Sequence, residues 1–336
     1  MADSIVVIGS NSFSGASFVR YCLCKGANVI GISRSPEPHE AFLPYKWTAG
    51  ADGDPSQGRF SFHALDLNQH APEIAAIVQK DKIPYVVNFA AQGMVAQSWD
   101  NPLDWYRTNV LGNVALHDQL RKFDFLQRYV HVSTPEVYGS TAGVINEETV
   151  FNPSTPYAAS RTACDLHLRT FFRQYEFPVA FTRAANVYGA GQQLYRIIPR
   201  TMLFIRLGKK LQLHGGGVSM RAFIHIRDVA DATWRIMNQA NNGETYHIST
   251  GEYISIRNLI EKICQSLDVR FEDVVDIAPE RPGKDDAYLL DSGKLRRQLQ
   301  WEDKIGLETG LQETQQWIDA NLEKLRQQPF DYIHKP

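Results

Sequence analysis

A tyrosine followed four residues later by a cation is a pairing that can move a proton. Such a pair stands in Tyr157-Ala158-Ala159-Ser160-Arg161. On a helix, positions i and i+4 share a face, so both side chains can enter one pocket. Free tyrosine titrates near ~10, and each unit of lowering requires about 1.4 kcal/mol of differential stabilisation, which a fixed positive charge can supply. Upstream, Ser133-Thr134-Pro135-Glu136-Val137-Tyr138-Gly139 places a hydroxyl and a carboxylate at the end of an apolar run. Phenol, hydroxyl and carboxylate together would form an acid–base set. Standing alone, Tyr-x-x-x-Arg reads more readily as an exposed pair, so the surrounding elements must decide.

Those elements begin with Ser4-Ile5-Val6-Val7-Ile8, a β-branched run closed by Gly9. The turn Gly9-Ser10-Asn11-Ser12-Phe13-Ser14-Gly15 and a helix-forming stretch to Lys25 follow. Strand, glycine-bounded turn and helix form the entry to a dinucleotide-binding βαβ unit, whose helix N-terminus offers unpaired N–H groups to a pyrophosphate. Ser12 takes the middle glycine position of the usual fingerprint. The second strand, Asn28–Ile32, ends in Ser33-Arg34-Ser35, with no acid to hold a ribose 2′-hydroxyl. Serines and Arg34 suit a 2′-phosphate, which favours NADP(H); NAD(H) held through backbone contacts is the alternative. Residues 36–58 read as a long surface loop. A third strand over 60–67 ends at Asp66 and Leu67, with Asp66 placed for the adenine edge or as a helix cap. A fourth, from Tyr85, delivers Ala90, Ala91 and Gln92, the alanines small enough for a cofactor to pass. A long helix over 101–121 carries Asn109, and a fifth strand over 125–133 leads into Thr134 and Glu136.

Near-continuous apolar strands alternating with helices predict a Rossmann-type doubly wound parallel sheet of the α/β class. Ligands bind such sheets at the carboxyl ends of the strands, where Gly9, Ala90, Thr134 and Glu136 all fall. After a strand over 177–185 the alternation breaks, and a smaller mixed C-terminal substrate-binding domain is expected. The dinucleotide-binding domain is assigned to 1–182 plus about 223–250, and the substrate domain to about 183–222 plus 251–336. Asn186, Gln192, Arg196, Gln212, Arg221, Arg281 and Lys284 lie in or beside the latter. Each of the four cations reads singly as a solvated charge, but converging they would hold an anionic group such as a diphosphate.

Acids and bases are nearly balanced, 37 against 35, for a net charge of −2. That distribution argues against a nucleic-acid or membrane-surface partner. No segment approaches a transmembrane helix in length, and Met1–Ser4 lacks the pattern of a signal peptide, so a cytoplasmic location is expected. The four cysteines, Cys22, Cys24, Cys164 and Cys264, show no metal-like spacing, and no metal is expected.

Together these residues resemble the extended short-chain dehydrogenase/reductase family, and within it the nucleotide-sugar 4,6-dehydratases and epimerases. The motifs at 9–15, 133–139, 152–157, 186–189, 221–228 and 281–285 carry the resemblance, which is closest to the dTDP-glucose 4,6-dehydratases. It implies that Tyr157 takes the proton of the sugar C4 hydroxyl during oxidation by the nicotinamide. Arg161 holds the place of the family's lysine, Thr134 binds the C4 oxygen, and Glu136 is placed as the base at C5. Loss of water and return of the hydride to C6 would complete a redox-neutral cycle. The resemblance also implies a homodimer formed through helices of the sheet domain.

The chain departs from that pattern twice. Pro135 stands where the dTDP-glucose enzymes carry an aspartate that protonates the departing water; the GDP-mannose 4,6-dehydratases resemble this chain in lacking it, and they favour NADP. Arg161 replaces lysine, and a planar guanidinium is not interchangeable with an ammonium. Three readings follow: a 4,6-dehydratase, with Glu136 as its discriminating residue; an epimerase or 5,6-dehydratase variant, motivated by Pro135; and a catalytically silent NADP(H)-binding sensor or scaffold, motivated by Arg161 and Ser12.

Overall fold

The computed structural model describes residues 4–48, 53–141, 143–279 and 289–335. Seven strands form one parallel sheet: β1 (Ser4–Ile8), β2 (Asn28–Ser33), β3 (Phe60–Ala64), β4 (Tyr85–Asn88), β5 (Arg128–Val132), β6 (Val179–Ala184) and β7 (Thr245–Ile248). Their order across the sheet is β7-β6-β5-β4-β1-β2-β3, so the winding reverses between β1 and β4. Crossover helices cover both faces, which is why β1 is apolar and buried on both sides, from Ile5 to Ile8. The helices are α1 (Phe13–Cys24), α2 (Ala71–Lys80), α3 (Pro102–Tyr106), α4 (Asn113–Leu120), α5 (Pro156–Tyr175), α6 (Ile197–Arg206) and α7 (Ile226–Gln239). One face packs α1 and α7 against the sheet through Phe18, Val19, Val229 and Ile236. The other packs α2, α4 and α5 through Ile74, Leu116, Cys164 and Leu168. The expected doubly wound α/β sheet is therefore the one that forms.

Beyond β6 the chain builds a second layer from short paired strands. Asn186–Tyr188 runs parallel to Phe223–His225, and Leu211–His214 parallel to Val275–Ala278. The helices α6, Ile256–Ser266 and Leu307–Leu325 enclose a separate core around Leu203, Leu259, Ile263 and Ile318.

Two local features differ from the sequence reading. Residues 36–58 are not simply a surface loop: Ala41, Leu43 and Tyr45 are buried, and the Tyr45 ring lies 4.5 Å from Phe60. Three apolar side chains within five residues cover the outer face of α1, a signal that the surrounding prolines and glycines masked. The predicted helix over 101–121 is interrupted by a π turn at Arg107–Gly112. Asn113 ties that turn down by donating from Nδ2 to the Thr108 carbonyl at 2.9 Å. Among the described residues, no helix is long and apolar enough to cross a membrane.

Candidate active site

A cleft of about 860 Å³ opens at the carboxyl ends of the strands, between the sheet and α6. Its first wall is the β1–α1 turn. Gly9 has φ +82°, and a Cβ there would lie 2.7 Å from the Ala90 nitrogen. A Cβ on Gly15 would lie 2.2 Å from the Gly9 carbonyl oxygen, so α1 can close onto the strand end only with glycine. Ser12, in the middle glycine position, serves as the N-cap of α1. Its Oγ accepts from the Gly15 N–H at 3.1 Å and donates to the Gly9 carbonyl at 2.7 Å. Ser12, Phe13 and Ser14 then line the cleft, with the first N–H groups of α1 behind them. A glycine cradle ending at a helix N-terminus fits a dinucleotide pyrophosphate.

Arg34, Ala91 and Gln92 also line this side. Ser33 and Ser35 brace it: Ser33 Oγ accepts from the Asn11 N–H at 3.0 Å, and the Ser35 carbonyl from Asn11 Nδ2 at 2.9 Å. Asn109 stays beneath the surface, accepting from the Gln92 N–H at 2.8 Å and donating to the Gln92 carbonyl and Ser160 Oγ. Asp66 and Leu67 are not brought to the cleft. The Asp66 carboxylate accepts from the Asn68 N–H at 2.9 Å in a local turn, and does not cap α2. Leu67 is buried in the core beneath.

Thr134, Glu136, Tyr157 and Arg161 meet at the floor. Thr134 caps a 3-10 turn over Pro135–Tyr138, with proline at the first position, where its missing N–H costs nothing. The Thr134 hydroxyl donates to the Glu136 carboxylate. α5 starts from Thr155, whose Oγ1 accepts from the Ala158 N–H at 3.1 Å, and Pro156 occupies its first position. Tyr157 thus stands in the first turn, with Arg161 one turn below.

The charge balance at Tyr157 runs against the simple expectation. Burial and the Glu136 carboxylate raise the phenol above its usual value; Arg161, the Thr134 hydroxyl and Arg196 pull the other way and do not prevail. Arg161 is buried at 3% exposure, and its Nη2 donates to the Val132 carbonyl and lies 3.4 Å from His131 Nε2. It pins α5 to the end of β5 through Nη2, while its Nε has no hydrogen-bond partner among the described residues and the residue still lines the cleft. His131 is held neutral, its pKa well below the usual value through burial and the nearby Arg161 and Arg183.

Behind this floor lies a cluster that sequence reasoning missed. Asp165 Oδ2 accepts from Arg183 Nη2 at 2.6 Å and from Ser133 Oγ at 2.8 Å, with Asp165 and Arg183 both fully buried. Arg183 Nη1 also donates to the Tyr138 hydroxyl at 2.5 Å. Asp165 follows Arg161 by four residues, so the spacing that paired Tyr157 with Arg161 extends to it.

On the far wall, Asn186, Gln192, Arg196 and Arg221 line the cleft. Gln192 Nε2 donates to the Val187 carbonyl at 2.7 Å, and Arg221 is buried with Nη1 on the Met220 carbonyl. Gln212 is absent from the lining; exposed on its strand, it donates to Asp276. Arg281 and Lys284 lie outside the described residues. Tyr195, Tyr332 and Lys335 join the lining without any sequence signal.

A family model described as GDP-mannose 4,6 dehydratase matches residues 6–314. The chain belongs to that family. Its members and neighbours are extended short-chain dehydrogenase/reductase enzymes of nucleotide-sugar dehydratase and epimerase type. The dTDP-glucose 4,6-dehydratase of Haemophilus influenzae is 28% identical over 95% of this chain and 98% of its own length. The trifunctional UDP-glucose 4,6-dehydratase/UDP-4-keto-6-deoxy-D-glucose 3,5-epimerase/UDP-4-keto-L-rhamnose-reductase of Arabidopsis thaliana is 31% identical over 72% of this chain, which spans only 37% of that longer protein. Among solved structures, the dTDP-glucose 4,6-dehydratase DesIV of Streptomyces venezuelae, with NAD bound, superposes with a TM-score of 0.86. It is 30% identical and covers 96% of this chain and 98% of its own.

Proposed function

We propose that this chain is a nucleotide-diphosphate-sugar 4,6-dehydratase working through a nicotinamide dinucleotide. One observation carries the reading: among the described residues lining the cleft, Glu136 is the single carboxylate, and it stands beside Thr134 and Tyr157. Elimination across C5 and C6 needs a base for the C5 proton, whereas 4-epimerisation does not. The relatives act on dTDP-glucose and UDP-glucose by name, which supports a hexose carried on a nucleoside diphosphate.

The dinucleotide would run along Ser12–Ser14, with its adenosine end toward Arg34 and its other end toward Tyr157. DesIV holds NAD. In this chain Arg34, with Ser33 and Ser35 and no acid after β2, favours NADP(H). When bound, the nicotinamide supplies oxidation of the sugar at C4 and reduction at C6. Tyr157 accepts the C4 hydroxyl proton, and Thr134 holds the oxygen in place. The ketone acidifies the C5 proton, which Glu136 removes. Pro135 has no proton to give, so the same Glu136 carboxyl passes the proton to the C6 hydroxyl, which leaves as water; C5 then takes a solvent proton by way of Glu136 as hydride returns to C6, and Tyr157 releases to solvent the proton it accepted. Arg196 and Arg221, with Asn186 and Gln192, hold the diphosphate and sugar.

The division at 1–182 with about 223–250, against about 183–222 with 251–336, belongs to the same proposal, as does a cytoplasmic setting. A homodimer is supported by Leu103, Leu111 and Leu166, each more than half exposed on α3, the π turn and α5. The test is turnover of a panel of nucleoside-diphosphate hexoses in D2O, followed by mass spectrometry and NMR. Loss of water with deuterium at C5 is expected; a product of unchanged mass, or no turnover despite cofactor binding, would refute the reading.

A further inference from the structure

The segment Asp331–Lys335 does not trail away from the fold. It enters the cleft along a series of side-chain contacts. Arg200 Nη1 donates to the Phe330 carbonyl and pairs with Asp331, each at 3.0 Å. The Tyr332 ring meets Tyr195 edge-on at 5.6 Å, and its phenol feels both Arg34 and Arg196. Tyr332 therefore stands between the wall assigned to the cofactor and the wall assigned to the sugar. Next, the His334 ring stacks on Trp105 at 5.1 Å with an interplanar angle of 5°, and its Nε2 bonds to Asp104 Oδ2 at 2.8 Å. Last, the Lys335 carbonyl accepts from Arg34 Nη2 at 2.9 Å and from the side-chain amide of Gln92.

That last pair of bonds locates the segment. Arg34 follows β2 and Gln92 follows β4, and β1 lies between those strands in the sheet. A carbonyl joining the two side chains must span the end of β1, directly over the Gly9–Gly15 turn. A dinucleotide lying along Ser12–Ser14 has to cross the same ground. Both would call on the same Arg34 donor.

We infer that Asp331–Lys335 is an autoinhibitory strap, which occupies the dinucleotide course and leaves it when the cofactor enters. This rests on the dinucleotide reading of the cleft. His334 is the latch, because its stack on Trp105 and its bond to Asp104 hold the strap to the sheet domain beside the opening. The apparent affinity for cofactor is the intrinsic affinity scaled by the fraction of molecules with the strap out.

The experiment compares the full chain, a chain ending at Phe330, and the H334A variant, each stripped of co-purified nucleotide. Binding of NADPH and NADH is titrated by nicotinamide fluorescence. The shortened chain is expected to bind about tenfold more tightly, with H334A in between. Equal affinity in all three, or weaker binding on shortening, overturns the strap; the latter would mean that the segment closes over bound cofactor. Hydrogen exchange of the full chain supplies a second readout that does not depend on any variant folding. Exchange across 331–335 should rise on saturation with cofactor, and a fall refutes displacement. Absence of binding by every form would instead remove the dinucleotide reading, and the strap with it.

Discussion

Asp165 supports the floor of the cleft from beneath, through Ser133 and Arg183. It is a fully buried anion held by Arg183 at 2.6 Å and by Ser133 at 2.8 Å, with neutral His131 at 3.4 Å. Asp165→Asn keeps the shape and removes the charge, leaving Arg183 buried without its counter-ion. Breaking one side of such a pair costs about 3–5 kcal/mol. Unfolding entropy of roughly 2.1 cal/mol/K per residue, over 336 residues, gives about 0.7 kcal/mol per degree, so the loss corresponds to about 4–7 °C in Tm. The double variant Asp165→Leu with Arg183→Met removes both charges, and should recover to within about 1 kcal/mol of the parent. It is not expected to strand the neighbours: Tyr138 keeps its bond to His247 at 2.7 Å, and Ser133 is only partly buried. Calorimetric melts of the parent, Asp165→Asn, Asp165→Leu, Arg183→Met and the double variant decide it. A single variant that melts within a degree of the parent, or a double variant showing the sum of the single losses, would refute the account of a paired buried charge. Activity gives a separate reading. Ser133 adjoins Thr134, so the double variant should recover in Tm while remaining slower in turnover.

Three further outcomes follow from the same geometry. Glu136→Gln should end water loss while leaving C4 oxidation measurable as cofactor reduction. Because the Glu136 charge raises the Tyr157 phenol, its removal should move the rising limb of the pH–rate profile for that oxidation to lower pH; no shift, or one to higher pH, removes Tyr157 as the base sensed. Arg34→Ala should weaken NADPH more than NADH in direct titration, and equal weakening would sink the 2′-phosphate assignment. Gly15→Ala forces a Cβ to 2.2 Å from the Gly9 carbonyl oxygen, so α1 must withdraw. The expected cost is about 1–3 kcal/mol, with weaker dinucleotide binding; an unchanged melt would show that the turn has slack.

The sheet was legible in the sequence because its strands are apolar without interruption and its turns carry glycines. The run Ile5–Ile8 followed by Gly9 is the plainest case. The centre of the site was legible through helical spacing, which put Tyr157 and Arg161 on one face. Spacing specifies the face and not the direction of a long side chain, and so it could not say that Arg161 turns down onto the Val132 carbonyl. The same rule carried one turn further reaches Asp165, but its partner Arg183 lies on β6 and only the fold joins them. Asp66 ends a strand, which makes it a candidate for the adenine edge; in the fold one of its carboxylate oxygens accepts from the Asn68 N–H two residues on, and it stands outside the cleft lining. Gln212 stands in the chain among residues that reach the cleft, whereas its strand pairs with Val275–Ala278 at the periphery. No pattern in 331–335 signals its course into the cleft, since the hydrogen bonds that hold it there reach residues more than a hundred positions away.

The π turn at Arg107–Gly112 acts as a phase shift within one continuous helical rod. An ordinary helix advances about 100° per residue, and the wider turn absorbs one residue of that advance. Downstream of it, Leu116 and Leu120 keep their faces toward the core. Upstream, Asp104 and Trp105 meet His334. Deleting a single residue from the turn would restore ordinary winding and leave the two flanks in nearly the same phase, because the surplus residue adds almost no net rotation. What would be lost is the widened backbone from which Asn109 reaches the Gln92 main chain. One surplus residue of backbone thus shapes a cofactor wall while leaving the helix faces on either side of it in register.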